Sequence, residues 1–190
     1  VKSKKIPKKD KITYLSNSDS ASVILLEKSN TKEKAFFSQK IFSKLATEET
    51  FPLKCFKEAN DFIDMDKNLT FSHLNENFPR FFDDFFDNFK LDKSKIGEFF
   101  FGSANNFIKT KLLELLNFKE IKNDETLKNY GDVTINKLAF DLANYEWRKG
   151  GGIKQVFMAS FGTGITFNAM SLKIDFSKIK NFIEIIDFNT

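Results

Sequence analysis

The chain has 190 residues, 41% hydrophobic and 29% charged, the ordinary balance of a soluble globular protein with room for one domain and a sizeable core. No apolar run is long enough to span a bilayer, and a single cysteine, Cys55, excludes an internal disulfide and suits a cytoplasmic location. The pI of about 9.0 invites nucleic-acid binding, yet residues 1–11 alone hold six lysines and one aspartate, a net of +5. The remaining residues hold 24 basic and 25 acidic side chains, so the folded body has no basic excess and nucleic acid is not an expected partner.

Residues 1–11 read as a basic terminal segment or severed linker, and a start on Val1 with no signal-peptide pattern leads to the expectation that the true N-terminus lies upstream. Residues 12–15 and 21–26 read as strands, the second a continuous apolar run of the buried kind. Residues 35–45 suit a second, antiparallel strand, and residues 46–71 are mixed and loop-rich. The strongest signal lies near 73–90, where Phe78, Phe81, Phe82, Phe85, Phe86 and Phe89 recur at helical spacing against a polar face of Asp83, Asp84, Asp87 and Asn88. That stripe is a core face, and Pro79 is expected in the helix's first turn or at a kink.

A short buried strand follows at Glu98–Phe101 and ends at Gly102. Residues 105–117 read as an amphipathic helix with Phe107, Ile108, Leu112, Leu115 and Leu116 on one side, and 119–133 as a polar loop. A helix over 134–148 buries Leu138, Leu142 and Tyr145 and ends at Gly150, Gly151 and Gly152. Lys154–Ser160 and Ile165–Phe176 read as strands joined by Phe161, Gly162, Thr163 and Gly164, and the tail 177–190 is amphipathic. Helices between strands imply crossovers, hence a three-layer α/β half-domain with a mixed sheet. All eight glycines lie between 97 and 164, which places the conformationally special turns, and a site, in that stretch.

Three strings there carry a resemblance: residues 99–105 (Phe-Phe-Phe-Gly-Ser-Ala-Asn), 129–134 (Asn-Tyr-Gly-Asp-Val-Thr) and 160–167 (Ser-Phe-Gly-Thr-Gly-Ile-Thr-Phe). In order and spacing they resemble the C-terminal half of the β-ketoacyl-acyl-carrier-protein synthase III family, of thiolase-like fold. The family's His-Gln-Ala-Asn string reads Gly102, Ser103, Ala104, Asn105 here, and its Tyr-Gly-Asn-Thr-Ser reads Tyr130, Gly131, Asp132, Val133, Thr134. Its closing Phe-Gly-x-Gly-x-Thr-Trp-Gly reads Phe161 to Asn168, with Phe167 and Asn168 in the last two places. Upstream, Met65, Asp66 and Lys67 resemble a Met-Asp-Gly before a long helix, and Leu15–Ser22 resembles a glycine-rich stretch with serines in place of glycines. The resemblance spans about residues 12–176.

The resemblance implies substrates that are acyl thioesters of coenzyme A or acyl carrier protein, no bound cofactor, a possible homodimer, and an N-terminal half, with its nucleophilic cysteine, supplied upstream or by a separate chain. It implies that a backbone N–H at Thr163 helps hold an acyl oxyanion, a role that survives side-chain substitution. Ser103, Asn105, Gly162 and Gly164 fall on the substrate side by the same resemblance. Two roles do not carry over: Gly102 stands at the histidine position with no side chain to donate, and Asp132 stands at the asparagine position as an acceptor whose charge opposes a developing enolate. Losing one preorganised donor costs about 10²–10³ in rate, so decarboxylative condensation is expected to be weak.

The remaining candidates read as structural. Cys55 sits between Lys54 and Phe56, with no paired histidine and no helix start to activate it. His73, the sole histidine, suits a surface or capping role, and alone it makes no metal site. Ser103 or Asn105 can be read as a stand-in for the lost histidine, Asn105 equally as a loop-bonding residue. Asp132 can be read as a general base, a histidine orienter or a solvated loop residue. Two functions stay open: an acyltransferase of the synthase III type with altered site positions, and a non-catalytic binding or scaffold partner of an active synthase.

Overall fold

A computed structural model describes residues 20–24, 34–41, 53–56, 62–65, 67–102, 106–118, 125–133, 136–144, 152–162 and 166–179. Among the described residues there are six strands: β1 (Phe36–Ile41), β2 (Leu53–Phe56), β3 (Phe62–Met65), β4 (Ile96–Gly102), β5 (Ile153–Gly162) and β6 (Thr166–Asp175). The helices are α1 (Lys67–Phe89), α2 (Asn106–Leu115), α3 (Glu125–Tyr130) and α4 (Lys137–Asn144).

Four strands form one mixed sheet in the order β1-β6-β5-β4, and β2 and β3 form a separate hairpin. β4 and β5 are parallel, whereas β6 is antiparallel to both β5 and β1. The crossover from β4 to β5 carries α2, α3 and α4, as a parallel pair requires.

Alternation along β5 divides the core into two faces. Phe157 and Ala159 join Phe101, Phe167 and Ala169 under the α1 stripe of Phe78, Phe81, Phe82, Phe85 and Phe86. Val156 and Met158 join Phe100 on the opposite face, where Leu138 and Leu142 of α4 pack. Phe157 lies at the centre of the aromatic packing, with ring centroids 5.1 Å from Phe82 and 5.4 Å from both Phe85 and Phe86. The result is the three-layer α/β arrangement expected from the element order.

α1 ends at Phe89, where Lys90 takes a left-handed conformation and the Leu91 N–H donates to the Phe86 carbonyl at 2.9 Å.

Several expectations are corrected. α1 starts at Lys67 rather than near 73, so Pro79 lies in the helix interior and not in its first turn. Packing of the Phe stripe on the sheet outweighs the one backbone hydrogen bond that Pro79 removes. On α2 the buried residues are Leu112 and Leu113, while Phe107 and Leu115 are exposed, because the helix turns Leu113 toward the α1 core. The stretch 119–133 is not all loop: it contains α3, which buries Thr126.

Residues 20–24 are not a strand, and Val23 is 95% exposed. β1 occupies the free edge of β6 instead. The strand expected at 12–15 and most of the tail 177–190 lie outside the described residues, as does Tyr145. No helix among the described residues is long and apolar enough to cross a membrane.

Candidate functional site

In a sheet with parallel strands, ligand sites form beyond the carboxyl ends of those strands, where the loops gather. Here those ends are Gly102 of β4 and Ser160–Gly162 of β5. The register pairs Gly102 with Ser160 and, across the next strand, Ser160 with Asn168. α4 closes one side. A Cβ added at Gly102 would stand 3.1 Å from the Ser160 Cβ and 3.3 Å from Leu138 Cγ. Position 102 is therefore a close approach of β4, β5 and α4, and a side chain there needs its neighbours to yield.

The Asp132 segment precedes α4, whose Leu138 lies beside Gly102. α3 stops at Tyr130, and Gly131 follows with φ of 72°, the left-handed conformation common just past a helix end. Asp132 is half-buried and Val133 is buried; five residues past Val133, Leu138 meets Gly102.

Asn136 fixes this loop. Its Nδ2 donates to the Ser20 carbonyl at 3.0 Å and to the Ser20 Oγ at 2.9 Å. The Ser22 hydroxyl donates to Asn136 Oδ1 at 2.7 Å, and the Ser20 hydroxyl to the Val133 carbonyl at 3.3 Å. Ser20 and Ser22 thus tie residues 20–22 to Val133 and Asn136, just ahead of the start of α4.

α4 is also anchored electrostatically. Lys137 and Asp141 form an ion pair at 2.7 Å with side chains only 1% and 9% exposed. Asn144 donates to the Thr126 hydroxyl at 3.4 Å and accepts from the Tyr130 hydroxyl at 3.3 Å, so α3 and α4 share polar as well as ring contacts.

Of the residues expected at a site, Gly102, Asp132 and Gly162 are placed. Gly102 is buried, and Gly162 ends β5 with no described residue within 4 Å of a Cβ built on it. Ser103, Asn105, Thr163 and Gly164 lie outside the described residues. Cys55 lies on β2 opposite Ile63, and His73 lies in the second turn of α1, half-buried, its carbonyl accepting from Asn77. Among the described residues no group of three or more histidine, cysteine, aspartate or glutamate side chains is placed to hold a metal.

Ser160, Asn168, Leu138 and Asn136 were not apparent as site residues from sequence. Their relation to Gly102 and Asp132 exists only once strand register and the seat of α4 are known.

Gly102 and Ser160 thus stand together at the carboxyl end of one parallel strand pair, on a mixed sheet with helices on both faces. This is the α/β thiolase-like fold. Solved structures with the same fold include the 3-oxoacyl-[acyl-carrier-protein] synthase III of Aquifex aeolicus, 18% identical with a TM-score of 0.60. A 3-oxoacyl-(acyl-carrier protein) synthase of Burkholderia xenovorans is 19% identical with a TM-score of 0.63. The priming β-ketosynthase of a polyketide biosynthetic pathway is 16% identical with a TM-score of 0.63.

The likeness covers 77–78% of this chain and 46% of each of those three, so the chain spans about half their length, the share expected of one half of such an enzyme. No protein-family model and no curated protein sequence matches the chain.

Proposed function

We propose that this chain is the C-terminal domain of a 3-oxoacyl-acyl-carrier-protein synthase III-like acyltransferase that acts on acyl thioesters of coenzyme A or acyl carrier protein. The observation that supports the reading is the close approach of Gly102, Ser160 and Leu138 at the carboxyl ends of β4 and β5, on the fold that the synthases share. An N-terminal half, upstream or on a separate chain, supplies the nucleophile and completes the site. The backbone N–H of Thr163 serves as an oxyanion donor. Because Gly102 offers no donor and Asp132 offers a negative charge, the reaction is acyl transfer to an alcohol or amine acceptor rather than decarboxylative condensation. Such a transfer builds no enolate, so it has no need of the two missing donors.

The close packing at Gly102 favours a second reading, in which the domain binds acyl carrier protein or a synthase subunit without turnover. One experiment separates the two: the full-length protein is incubated with acyl coenzyme A, and its covalent acylation is followed by mass spectrometry. Acylation within turnover time supports the transferase. Its absence, together with co-purification of a synthase subunit or acyl carrier protein, supports the scaffold.

A further inference from the structure

One row of residues runs across the sheet at the level of Gly102. Gly102 pairs with Ser160, Ser160 with Asn168, and Asn168 with Gln39, joining β4, β5, β6 and β1. Directly paired residues project to the same face of a sheet. That face is the α4 face, since Leu138 of α4 is among the atoms nearest the missing Cβ of Gly102. Exposure falls steadily along the row: Gln39 is exposed, Asn168 and Ser160 are half-buried, and Gly102 is buried.

The polar groups in the row are committed on one side only. Gln39 Nε2 donates to Asn168 Oδ1 at 2.7 Å, which fixes the Asn168 amide and leaves its NH₂ as the group still able to donate. The Ser160 hydroxyl has no hydrogen-bond partner among the described residues, although it is half-buried beside apolar Leu138. Ser160 and Asn168 thus place two neutral donors side by side at the strand ends, partly open to solvent, where a bound acceptor can reach both.

The absence of a side chain at 102 makes room for Ser160, because a Cβ at 102 would press on the Ser160 Cβ. Asn168 in turn stands where the resembled string ends in glycine. The chain has thus lost a donor on β4 and presents two on β5 and β6, neither carrying a charge.

We propose that the Ser160 hydroxyl and the Asn168 amide form a donor pair for the carbonyl oxygen of a bound acyl thioester, in place of the side chain that position 102 lacks. This rests on the acyl-thioester reading above and names where on the domain the thioester carbonyl sits. Both donors are neutral, so they polarise the carbonyl without titrating in the physiological range.

The test uses the full-length protein and octanoyl coenzyme A with a ¹³C-labelled thioester carbonyl. Binding to the wild type lowers the infrared stretching frequency of that carbonyl relative to the free thioester. Ser160→Ala and Asn168→Ala each move it part of the way back, and the double variant returns it to the free value. Each single loss weakens binding about three- to tenfold, the worth of one neutral hydrogen bond. Ser160→Thr, which keeps the hydroxyl, retains the wild-type frequency, and circular dichroism confirms that each variant is folded. Tight binding by both alanine variants with an unchanged carbonyl frequency overturns the donor pair and leaves the acyl-thioester reading standing. Failure of the folded wild type to bind octanoyl coenzyme A overturns that reading and the donor pair with it.

Discussion

Adding a methyl group at Gly102 sets two opposed effects against each other. Replacing glycine by alanine removes freedom from the unfolded chain and stabilises by about 0.4–1 kcal/mol where the native backbone accepts it. The new Cβ, however, sits 3.1 Å from the Ser160 Cβ and 3.3 Å from Leu138 Cγ, inside ordinary contact distance on two sides. Overpacking of this kind costs about 1–3 kcal/mol.

The net expectation for Gly102→Ala is a loss of about 1 kcal/mol, seen as a fall of about 0.3–1 M in the urea midpoint of the full-length protein. Leu138→Ala alone loses packing against the α4 face of the sheet. In the Leu138→Ala background one of the two close neighbours is gone, so Gly102→Ala should cost less there, with a favourable coupling of about 1 kcal/mol in the double-mutant cycle. If Gly102→Ala is stabilising and the coupling is zero, position 102 has room for a side chain. The packing account of its glycine is then wrong.

Further outcomes follow from other parts of the fold. Phe157→Ala removes a fully buried ring that contacts Phe82, Phe85, Phe86 and Phe99, and should cost about 3–5 kcal/mol in chemical denaturation. Asp141→Ala removes the carboxylate 2.7 Å from the Lys137 ammonium, whose side chain is 1% exposed, and breaking this buried pair should cost about 3–5 kcal/mol. Lys137→Met with Asp141→Leu removes both charges, and by melting temperature it should recover most of that loss.

Asp92 and Asp175 cap short helical turns, and hydrogen bonds, chiefly from the Ser94 and Ser177 side chains, hold their carboxyls below the usual carboxylate value. A depressed native pKa gives stability that is present above the unfolded value and is lost as pH falls through the native one. Wild type should therefore lose stability faster than Asp92→Asn with Asp175→Asn as pH drops below about 4, in acid titrations followed by circular dichroism.

The parts of the molecule that were legible in sequence are those set by periodicity and by glycine. The Phe stripe of α1 repeats at helical spacing and is buried as its pattern requires. β5 and β6 pair antiparallel as read, with Gly162 opposite Thr166.

What escaped was decided by partners distant in sequence. Val23 and Ile24 have the composition of a buried strand, yet β1 takes the edge of β6, and residues 20–22 are held by Asn136 more than a hundred positions away. α3 is a six-residue helix in a polar stretch, and the burial of Thr126 and the Tyr130 ring contact with Phe140 that support it come from α4. At the site, the departures of Gly102 and Asp132 from the resembled strings were visible residue by residue. The row of Ser160 and Asn168 beside Gly102 was not, because it depends on a register that pairs residues 58 and 8 positions apart.

The proposed function makes this domain part of a thioester-acting enzyme whose site does not support decarboxylation. The direct measurement supplies the full-length protein with acyl coenzyme A and malonyl-acyl carrier protein, following protein acylation and carbon dioxide release in one reaction. The expected result is acylation with carbon dioxide release at or near the uncatalysed rate. Robust release at the pace of acylation would show that Gly102 and Asp132 do not disable condensation, and would contradict it.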